Sequence, residues 1–220
     1  MHKKKFNSLT VLIPAFNELE NLEKFLKDLS KKFNVLVVDD GSVDKTEIFL
    51  KHNKINFLKN KKNLGYEKSL IKGFLYLFKN KRTKIIITMD ADGQHKTKDI
   101  YKLLKEYKRN KSSLVIGSRK NKNRFIEILI SILSKNKFNI DDPLSGFKLY
   151  NKKILKDINL KGLKNLFFAD LVLKFYKKNH KITTINIKTS QRKDKPRIGN
   201  YFFANIKIFK ILKFISNYKN

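Results

Sequence analysis

Short apolar runs followed by segments with helical spacing constrain the fold of this chain more than any other feature. The runs cover residues 9–14, 35–38, 84–89 and 114–117. Between the first two, Leu19, Leu22, Leu26 and Leu29 recur at the spacing of one helix face. Strands separated by helices of this length predict an α/β fold with a mostly parallel sheet and right-handed crossovers. In such a sheet, ligands bind beyond the carboxyl ends of the strands.

Length and composition exclude several classes of protein. The chain has 220 residues, which corresponds to one domain or one domain with a short appendage. It has no cysteine, so a disulfide scaffold, a thiolate zinc site and a thiol nucleophile are excluded. The sequence holds no apolar run of about 18 residues and no signal-peptide pattern, and we therefore expect a cytoplasmic protein.

The charge of the chain is strongly positive. With 51 Lys and Arg against 19 Asp and Glu, the formal net charge is +32. The lysines are spread along the whole chain, and they accompany many Asn, Ile and Phe, which favours a bias in codon composition. No helix–turn–helix, finger or RNA-recognition pattern is present. We therefore expect attraction to anionic surfaces, including a membrane face, and no specific nucleic acid.

The second half of the chain is less regular. Residues 125–133 are densely apolar, 141–147 predict a turn that enters a strand, and the patterns at 168–176 and 182–187 predict a helix and a strand. Residues 189–200 are polar and predict a loop. We expect one domain over residues 1–200, followed along the chain by an amphipathic basic helix over residues 201–220. Its two faces are apolar (Ile208, Phe209, Ile211, Leu212 and Ile215) and basic (Lys207, Lys210 and Lys213).

Two acidic clusters follow predicted strands. Asp90 and Asp92 stand one residue apart, so a cation between them would relieve their repulsion. A hard cation such as Mg²⁺ suits oxygen ligands and completes its shell with phosphate oxygens. Gln94 and His95 follow directly and offer a further ligand. The alternative is that an aspartate caps the next helix.

The second cluster, Asp39 and Asp40, offers acceptors for a base N–H or a ribose hydroxyl. Its alternative is a turn after which Ser42 or Asp44 caps a helix that runs to about His52. Arg119 ends another predicted strand, where it would meet a phosphate or remain a surface charge.

Six segments together carry a resemblance to a known family. In chain order they are 14–18 (PAFNE), 37–42 (VVDDGS), 63–65 (NLG), 89–95 (MDADGQH), 117–119 (GSR) and 142–147 (DPLSGF). This order closely resembles the inverting family 2 glycosyltransferases of the GT-A fold. Within that family it is most similar to the dolichol-phosphate mannosyltransferase and bacterial polyprenyl-phosphate branch, over about residues 8 to 200.

The resemblance implies a role for each matched position. It implies a nucleotide-sugar pocket at Pro14, Phe16, Glu18, Asp39, Asp40, Asp90, Ala91 and Asp92. It implies a Mg²⁺ or Mn²⁺ ion on Asp90, Asp92 and Gln94. It places the acceptor phosphate near Arg119, Arg124, Ser145, Arg192 and Arg197. The catalytic residues it implies are Asp92, Arg119 and Asp142.

The sequence departs from the family pattern mainly on the acceptor side. Tyr66 stands where Lys is common, with Lys68 as a substitute close by. Lys148 replaces an arginine and cannot form a bidentate fork. Asp170 replaces a glutamate, and residues 196–200 replace a Gly-x-Ser-Lys segment. These changes put the identity of the acceptor in doubt more than the chemistry of the donor.

We therefore expect an enzyme that moves a sugar from GDP-mannose or a UDP-hexose to polyprenyl phosphate, peripherally at the cytoplasmic face of a membrane. A lipid phosphate is already a nucleophilic anion, whereas a sugar hydroxyl, the alternative acceptor, needs a base, for which Asp142 is the candidate. A basic nucleic-acid-binding protein is the remaining hypothesis. The C-terminal helix and residues 125–133 would lie at the membrane, and a separate membrane subunit is a further expected partner. The alternative is that both segments pack on the core or on a second subunit.

Overall fold

The computed structural model describes residues 6–120, 122, 125–160, 167–189, 209–213 and 215–217. Three of the expected phosphate-binding arginines, Arg124, Arg192 and Arg197, lie outside the described residues. The elements, in chain order, are β1 (Phe6–Ala15), α1 (Leu19–Lys32), β2 (Phe33–Asp39), α2 (Thr46–His52), β3 (Asn56–Lys59), α3 (Tyr66–Lys79), β4 (Ile85–Thr88), α4 (Thr97–Asn110), β5 (Leu114–Arg119), α5 (Phe125–Phe138), β6 (Lys148–Asn151), α6 (Lys152–Lys156), α7 (Phe167–Lys177) and β7 (Ile182–Ile187).

The described strands form a seven-stranded sheet in the order β3-β2-β1-β4-β6-β5-β7. The pairs β1–β2, β1–β4, β2–β3 and β5–β7 are parallel, which confirms the predicted mostly parallel α/β sheet. The exception is β6, which is antiparallel to both β4 and β5. Lys148, its first residue, pairs with Thr88 at the end of β4, so β6 starts at the carboxyl edge of its neighbours. The turn before β6 therefore lies at the edge where a ligand is expected.

Helices cover both faces of the sheet, because alternate strand residues point to opposite sides. Leu12 packs in one core cluster with Phe74 of α3 and Phe175 of α7. Its neighbour Val11 packs in a second cluster, on which α1 and α4 lie. The predicted helical stripe of α1 is confirmed, since Leu22, Leu26 and Leu29 are all buried.

Residues 125–138, which begin as a dense apolar stretch, form the single helix α5. Ile130 is buried, whereas Phe125, Ile128 and Ile132 remain exposed, at 75%, 41% and 49% of their surface. We call these three side chains the apolar stripe of α5. No helix in the described part of the chain combines the length and the apolar character that a membrane span requires.

The described part of the C-terminal segment, residues 209–213 and 215–217, begins as helix. Its Ile211 and Ile215 are buried in the core cluster that also holds Leu12, and Lys137 of α5 donates to the carbonyl of Ser216. Phe209 is 60% exposed. Two residues of the expected apolar face therefore pack on the protein, which was the alternative to membrane contact.

Candidate active site at the carboxyl edge of the sheet

The carboxyl ends of β1, β2, β4 and β5 bring the predicted polar residues to one edge. Ala15 and Asp39 pair across β1 and β2, and Asp40 donates its backbone N–H to the Ala15 carbonyl at 2.8 Å. Asp90 follows the buried Met89 at the end of β4, and Arg119 ends β5. The sheet topology therefore assembles segments that are far apart in sequence.

Asp40 holds the turn of residues 63–65 in place. Its Oδ1 accepts hydrogen bonds from the Asn60 side-chain amide at 2.7 Å and from the Leu64 backbone at 2.9 Å. Its Oδ2 accepts one from the Gly65 backbone at 2.8 Å. With two oxygens used in this way, Asp40 acts as a bridge between β2 and α3, beside the nucleotide pocket expected from the resemblance.

Gly41 makes that close approach possible. Its φ of +76° lies in the left-handed region, and a Cβ built there would stand 2.6 Å from the carbonyl carbon of Lys62. Only glycine meets both conditions without displacing the neighbouring chain.

Asp39 is fully buried and only partly satisfied. Its Oδ1 accepts a hydrogen bond from the Ser42 backbone at 2.9 Å. Its Oδ2 is buried and has no hydrogen-bond partner among the described residues. A buried carboxylate oxygen without a partner is costly, which makes it a candidate contact for a ligand donor.

The residues after β1 lie against this second aspartate cluster. Asn17 accepts a hydrogen bond from the Val43 backbone at 2.9 Å, and its own N–H donates to Ser42 Oγ at 2.9 Å. The Ser42 hydroxyl therefore does not cap α2, whereas Asp44 accepts from the Thr46 backbone at 3.0 Å at the first residue of that helix.

The other expected residues of the donor pocket are largely enclosed. Glu18 is buried and its Oε2 accepts a hydrogen bond from the Asn21 side chain at 2.7 Å. Pro14 is also buried, and Phe16 is half-buried.

Asp90 and Asp92 form the acidic centre of the edge. The Tyr66 hydroxyl donates to Asp90 Oδ1 at 2.5 Å, and His95 Nε2 lies 3.7 Å from Asp90 Oδ2. Asp92 accepts a hydrogen bond from the Gln94 backbone at 3.1 Å and is partly exposed. Burial alone would raise the pKa of Asp90, but His95 and Tyr66 outweigh it and hold that pKa below its usual range. Burial and the neighbouring Asp90 charge raise the pKa of Tyr66 well above its usual value, so its hydroxyl keeps its proton.

This donor set fits a divalent cation that shares its shell with a substrate. Among the described residues, no group of three or more His, Cys, Asp and Glu side chains is placed to hold a metal without help. Asp90 and Asp92 supply two carboxylates, Gln94 is half-buried beside them, and Ala91 between them is buried. Mg²⁺ is commonly bound by one or two carboxylates together with substrate phosphates.

Across the edge, Arg119 is held by two carboxylates. Its Nε and Nη2 donate to Asp142 Oδ2 and Oδ1 at 2.8 and 2.9 Å, and Nη2 lies 3.4 Å from Glu127 of α5. Burial opposes the charge of Arg119, but these carboxylates outweigh it and raise the pKa of Arg119 above its usual value. Burial would raise the pKa of Asp142, but Arg119 outweighs it and lowers that pKa. A carboxylate in this state is a weak base, and its observed contacts position the guanidinium.

Ser145 has a structural place in this geometry. Its side chain is fully buried, its hydroxyl donates to the Gly117 carbonyl at 2.6 Å, and it accepts from the Phe147 backbone at 3.2 Å. The contact with an acceptor expected from the resemblance does not fit, because this hydroxyl is enclosed and bonded to backbone groups. It ties the end of β5 to the turn before β6.

Lys148 is a buried cation behind the site. Its Nζ donates to the Ser145 carbonyl and lies 4.1 Å from the centre of the Phe168 ring. Burial lowers its pKa to about 7, against the nearby charge of Asp142, and Arg119 lowers it further. Asp170, the departure noted on α7, is buried as well. Lys148 therefore supports the turn and does not reach solvent.

Sequence reasoning missed two contacts of this site. Tyr66 stood out only as a departure from the family pattern, and Lys68, the expected substitute, is exposed. Glu127 is the one acidic residue in the apolar stretch 125–133. A charged residue in such a stretch is expected to pair with an opposite charge, but the sequence does not identify the partner.

Comparison with known proteins gives three kinds of match. The model of glycosyl transferase family 2 matches residues 10–158. An uncharacterised protein of Methanocaldococcus jannaschii is 39% identical over 170 residues, which cover 68% of this chain and 74% of that protein. The dolichol-phosphate mannosyltransferase of Pyrococcus furiosus is 28% identical over 190 residues, which cover 76% of this chain but only 52% of that protein.

Among solved structures, the glucosyl-3-phosphoglycerate synthase of Mycobacterium tuberculosis in complex with Mn²⁺, UDP-glucose and phosphoglyceric acid superposes with a TM-score of 0.71. The match covers 98% of this chain and 81% of that one at 16% identity. At this identity the likeness shows a shared fold.

Proposed function

The chain belongs to glycosyl transferase family 2, and from that premise we propose that it moves a sugar from a nucleotide-sugar donor to a polyprenyl phosphate, with inversion at the sugar. The observation that carries the proposal is that the carboxylates of Asp90 and Asp92 and the fixed cation of Arg119 lie on the same edge of the sheet. The relative from P. furiosus, named for a dolichol-phosphate acceptor, supports the choice of acceptor.

On the donor side, we assign the nucleoside to the pocket beside Asp39 and the residues after β1. The unpartnered Asp39 Oδ2 is placed to accept a hydrogen bond from a base N–H or a ribose hydroxyl. Asp40 supports this pocket through the turn of residues 63–65. Pro14, Phe16 and Glu18 close it from the end of β1.

Asp90 and Asp92, with Gln94 beside them, would hold a Mg²⁺ or Mn²⁺ ion. When bound, that ion supplies positive charge to the diphosphate leaving group as the glycosidic bond breaks. The solved neighbour contains Mn²⁺ together with UDP-glucose, which is consistent with this use. Asp90 also accepts a hydrogen bond from the Tyr66 hydroxyl.

On the acceptor side, Arg119 orients the incoming phosphate. An oxygen of the acceptor phosphate attacks the anomeric carbon, the bond from that carbon to the diphosphate breaks, and the nucleoside diphosphate leaves with the electron pair. The nucleophile is already an anion and needs orientation by a cation rather than a base. The guanidinium is fixed by Asp142, so it presents a constant geometry to the phosphate.

A sugar hydroxyl is the alternative acceptor, and it requires a general base. Asp142 was the candidate for that base, but its two oxygens accept hydrogen bonds from Arg119 and its pKa is lowered. No other described observation favours the hydroxyl acceptor, and the ion pair therefore supports the phosphate.

A lipid acceptor requires contact with a membrane, and we propose that α5 provides it at the cytoplasmic face. Phe125, Ile128 and Ile132 form the apolar stripe of α5, and Lys135 and Lys137 follow in its last turn. An apolar stripe flanked by lysines suits an anionic bilayer surface. The helix also carries Glu127, which contacts Arg119, so the stripe adjoins the proposed phosphate site.

Vesicle co-sedimentation tests this surface. We expect binding to phosphatidylglycerol vesicles that weakens with salt and with Phe125→Ser, and little binding to phosphatidylcholine vesicles. Ile48→Ser is the matched control, because Ile48 is 65% exposed on α2. Equal losses for the two variants would overturn the assignment of α5.

The transfer reaction is tested with short-chain polyprenyl phosphate and labelled GDP- and UDP-sugars in the presence of Mg²⁺ or Mn²⁺. We expect label from one donor to enter the organic phase, and EDTA and Asp92→Asn to abolish that transfer. Asp28→Asn is the control, since Asp28 is an exposed aspartate of α1. Label that stays in the aqueous phase with every donor, while metal-dependent donor hydrolysis persists, would exclude the lipid phosphate.

A further inference from the structure

The first residue of α3, Tyr66, reaches the acidic centre formed by Asp90 and Asp92. Tyr66 directly follows the turn whose Leu64 and Gly65 backbone groups are held by Asp40. Gly65 has a φ of +92°, a conformation that allows the chain to enter the helix at this angle. The position of the Tyr66 side chain is therefore set by the aspartate cluster at the end of β2.

Tyr66 makes two contacts at the far end of its side chain. Its hydroxyl donates to Asp90 Oδ1 at 2.5 Å, within the range of a strong hydrogen bond to a charged acceptor. Its ring packs against Phe168 of α7, with ring centres 5.6 Å apart. The packing restrains the ring and keeps the hydroxyl beside Asp90 Oδ1.

Two further groups border the Asp90 carboxylate, whose side chain remains 29% exposed. His95 Nε2 lies 3.7 Å from Oδ2, and the His95 ring stacks on Phe147 with centres 4.6 Å apart. At Gly146 a Cβ would stand 2.4 Å from both carboxylate oxygens, so the backbone itself borders the group. A hydroxyl, an imidazole and a glycine backbone therefore border Asp90, and of these only the hydroxyl lies at hydrogen-bonding distance.

We propose that Tyr66 is a positioning residue for the divalent cation: its hydroxyl orients the Asp90 carboxylate before the metal and the nucleotide diphosphate arrive. This inference rests on the proposed function, because that function assigns the cation to Asp90 and Asp92. Tyr66 does not coordinate the ion in this scheme. Its hydrogen bond fixes Oδ1 of Asp90 and leaves the carboxylate charged. Residues that hydrogen-bond to metal ligands commonly act in this way.

The test measures cation binding directly and does not depend on catalysis. Mn²⁺ is titrated into wild type, Tyr66→Phe and Tyr76→Phe, alone and with GDP or UDP, and free Mn²⁺ is followed by electron paramagnetic resonance. Phenylalanine keeps the packing against Phe168 and removes only the hydroxyl. Tyr76 lies on the same helix and is 50% exposed, so Tyr76→Phe is the matched control.

We expect Mn²⁺ to bind about 10-fold to 100-fold more weakly to Tyr66→Phe, the usual cost of losing a partner of a metal ligand. We expect a changed spectrum of the bound ion in the same variant, and wild-type values for Tyr76→Phe. Thermal melts of the metal-free proteins establish that all three are folded. A purely structural tyrosine would lower the melting temperature without changing the spectrum of bound Mn²⁺.

Each result has one consequence. Equal Mn²⁺ affinity and equal spectra for wild type and Tyr66→Phe would overturn the inference while leaving the transfer reaction intact. Failure of the wild type to bind Mn²⁺ with either nucleotide would overturn both the inference and the metal assignment. Weaker binding by Tyr66→Phe in a protein that transfers no sugar to polyprenyl phosphate would support the inference and reject only the acceptor.

Discussion

The two halves of the candidate site hold their charged groups in opposite ways. In the donor half, residues 6–110, carboxylates are held mainly by neutral donors: Asp40 by backbone amides of the turn at 63–65, and Asp90 by a tyrosine hydroxyl. In the acceptor half, residues 114–189, Arg119 is held by the charges of Asp142 and Glu127.

This difference separates orientation from neutralisation. A neutral donor stabilises a carboxylate and leaves its negative charge available to a cation. An ion pair fixes a guanidinium and cancels much of its charge at the same time, and it leaves a costly buried charge when one partner is lost. In the proposed function, the donor half is therefore suited to attract a metal, whereas the acceptor half keeps its cation in an ion pair. Substitutions at Asp142, Gly41, Lys148 and Glu127 test this contrast.

The largest loss of stability is expected from Asp142→Asn. Arg119 would lose its bidentate carboxylate in a largely buried site, and we expect the free energy of unfolding to fall by about 3 kcal/mol at neutral pH. Asparagine tolerates the φ of +48° at this position, so the change removes charge and not backbone conformation. Urea unfolding measures the loss, and Asp28→Asn on α1 is the control.

The same variant discriminates between acceptors. If Asp142 only positions Arg119, transfer to polyprenyl phosphate falls while nucleotide and Mn²⁺ binding persist. If Asp142 is a base, the rate of transfer to a sugar hydroxyl falls with unchanged stability. A stable variant with normal transfer to the lipid phosphate would contradict the ion-pair description.

In the donor half, Gly41 allows a test of how closely the backbone after β2 approaches the turn at residues 63–65. Gly41→Ala places a Cβ 2.6 Å from the Lys62 carbonyl carbon at a φ of +76°, and we expect a loss of about 2 kcal/mol in unfolding free energy together with weaker nucleotide binding. Gly93→Ala is the matched control for stability, because Gly93 has a φ of +72° with nothing within 4 Å of a Cβ. The difference between the two variants measures the close approach alone. Equal losses would mean that the turn at residues 63–65 is free to move away.

A pH test distinguishes Lys148 from the paired cation Arg119. The pKa of Lys148 is about 7 in the folded protein, against 10.5 for an ordinary lysine, and the charges that face it are Asp142, Arg119 and Asp90. Between these values the unfolded chain binds more protons than the folded one, so the contribution of Lys148 to stability rises with pH.

Lys148→Met removes that contribution, up to about 1.4 kcal/mol per pH unit. We expect the variant to gain stability relative to wild type at about pH 7 and to lose this advantage towards about pH 10. Lys31→Met, at an exposed lysine of α1, controls for the general titration of lysines. A constant difference between Lys148→Met and wild type across this range would mean that Lys148 keeps its proton when buried.

The sequence predicted the donor half better than the acceptor half for a physical reason. Strands such as 35–38 and 84–89 are signalled by local apolar runs, and acidic residues at their ends must lie at the carboxyl edge of a parallel sheet. Asp39, Asp40, Asp90 and Asp92 therefore lie where periodicity and topology place them.

The acceptor half depends on contacts between distant side chains, which local patterns do not encode. The pairing of Arg119 with Asp142 joins residues 23 positions apart, and the buried Lys148 lies in β6, which pairs with β4 on one side and β5 on the other. The hydroxyl of Ser145 was expected at an acceptor and is instead bonded to the Gly117 carbonyl and the Phe147 amide. Arg124, Arg192 and Arg197 remain predictions outside the described residues.

The smallest effect is expected from Glu127→Gln, and it is the most direct measure of how far the ion pair restrains Arg119. Glu127 lies 3.4 Å from Arg119 Nη2, longer than a good hydrogen bond, and Asp142 still neutralises the guanidinium after the change. We expect a loss of no more than about 1 kcal/mol in unfolding free energy. With one negative charge fewer, we also expect the KM for polyprenyl phosphate to fall about 2-fold to 5-fold, with the KM for the nucleotide-sugar unchanged. Glu20→Gln, at an exposed position of α1, is the control. A rise in the acceptor KM would mean that Glu127 positions Arg119 as strongly as Asp142 does, and the acceptor half would then depend on α5 for its geometry as well as for the proposed membrane contact.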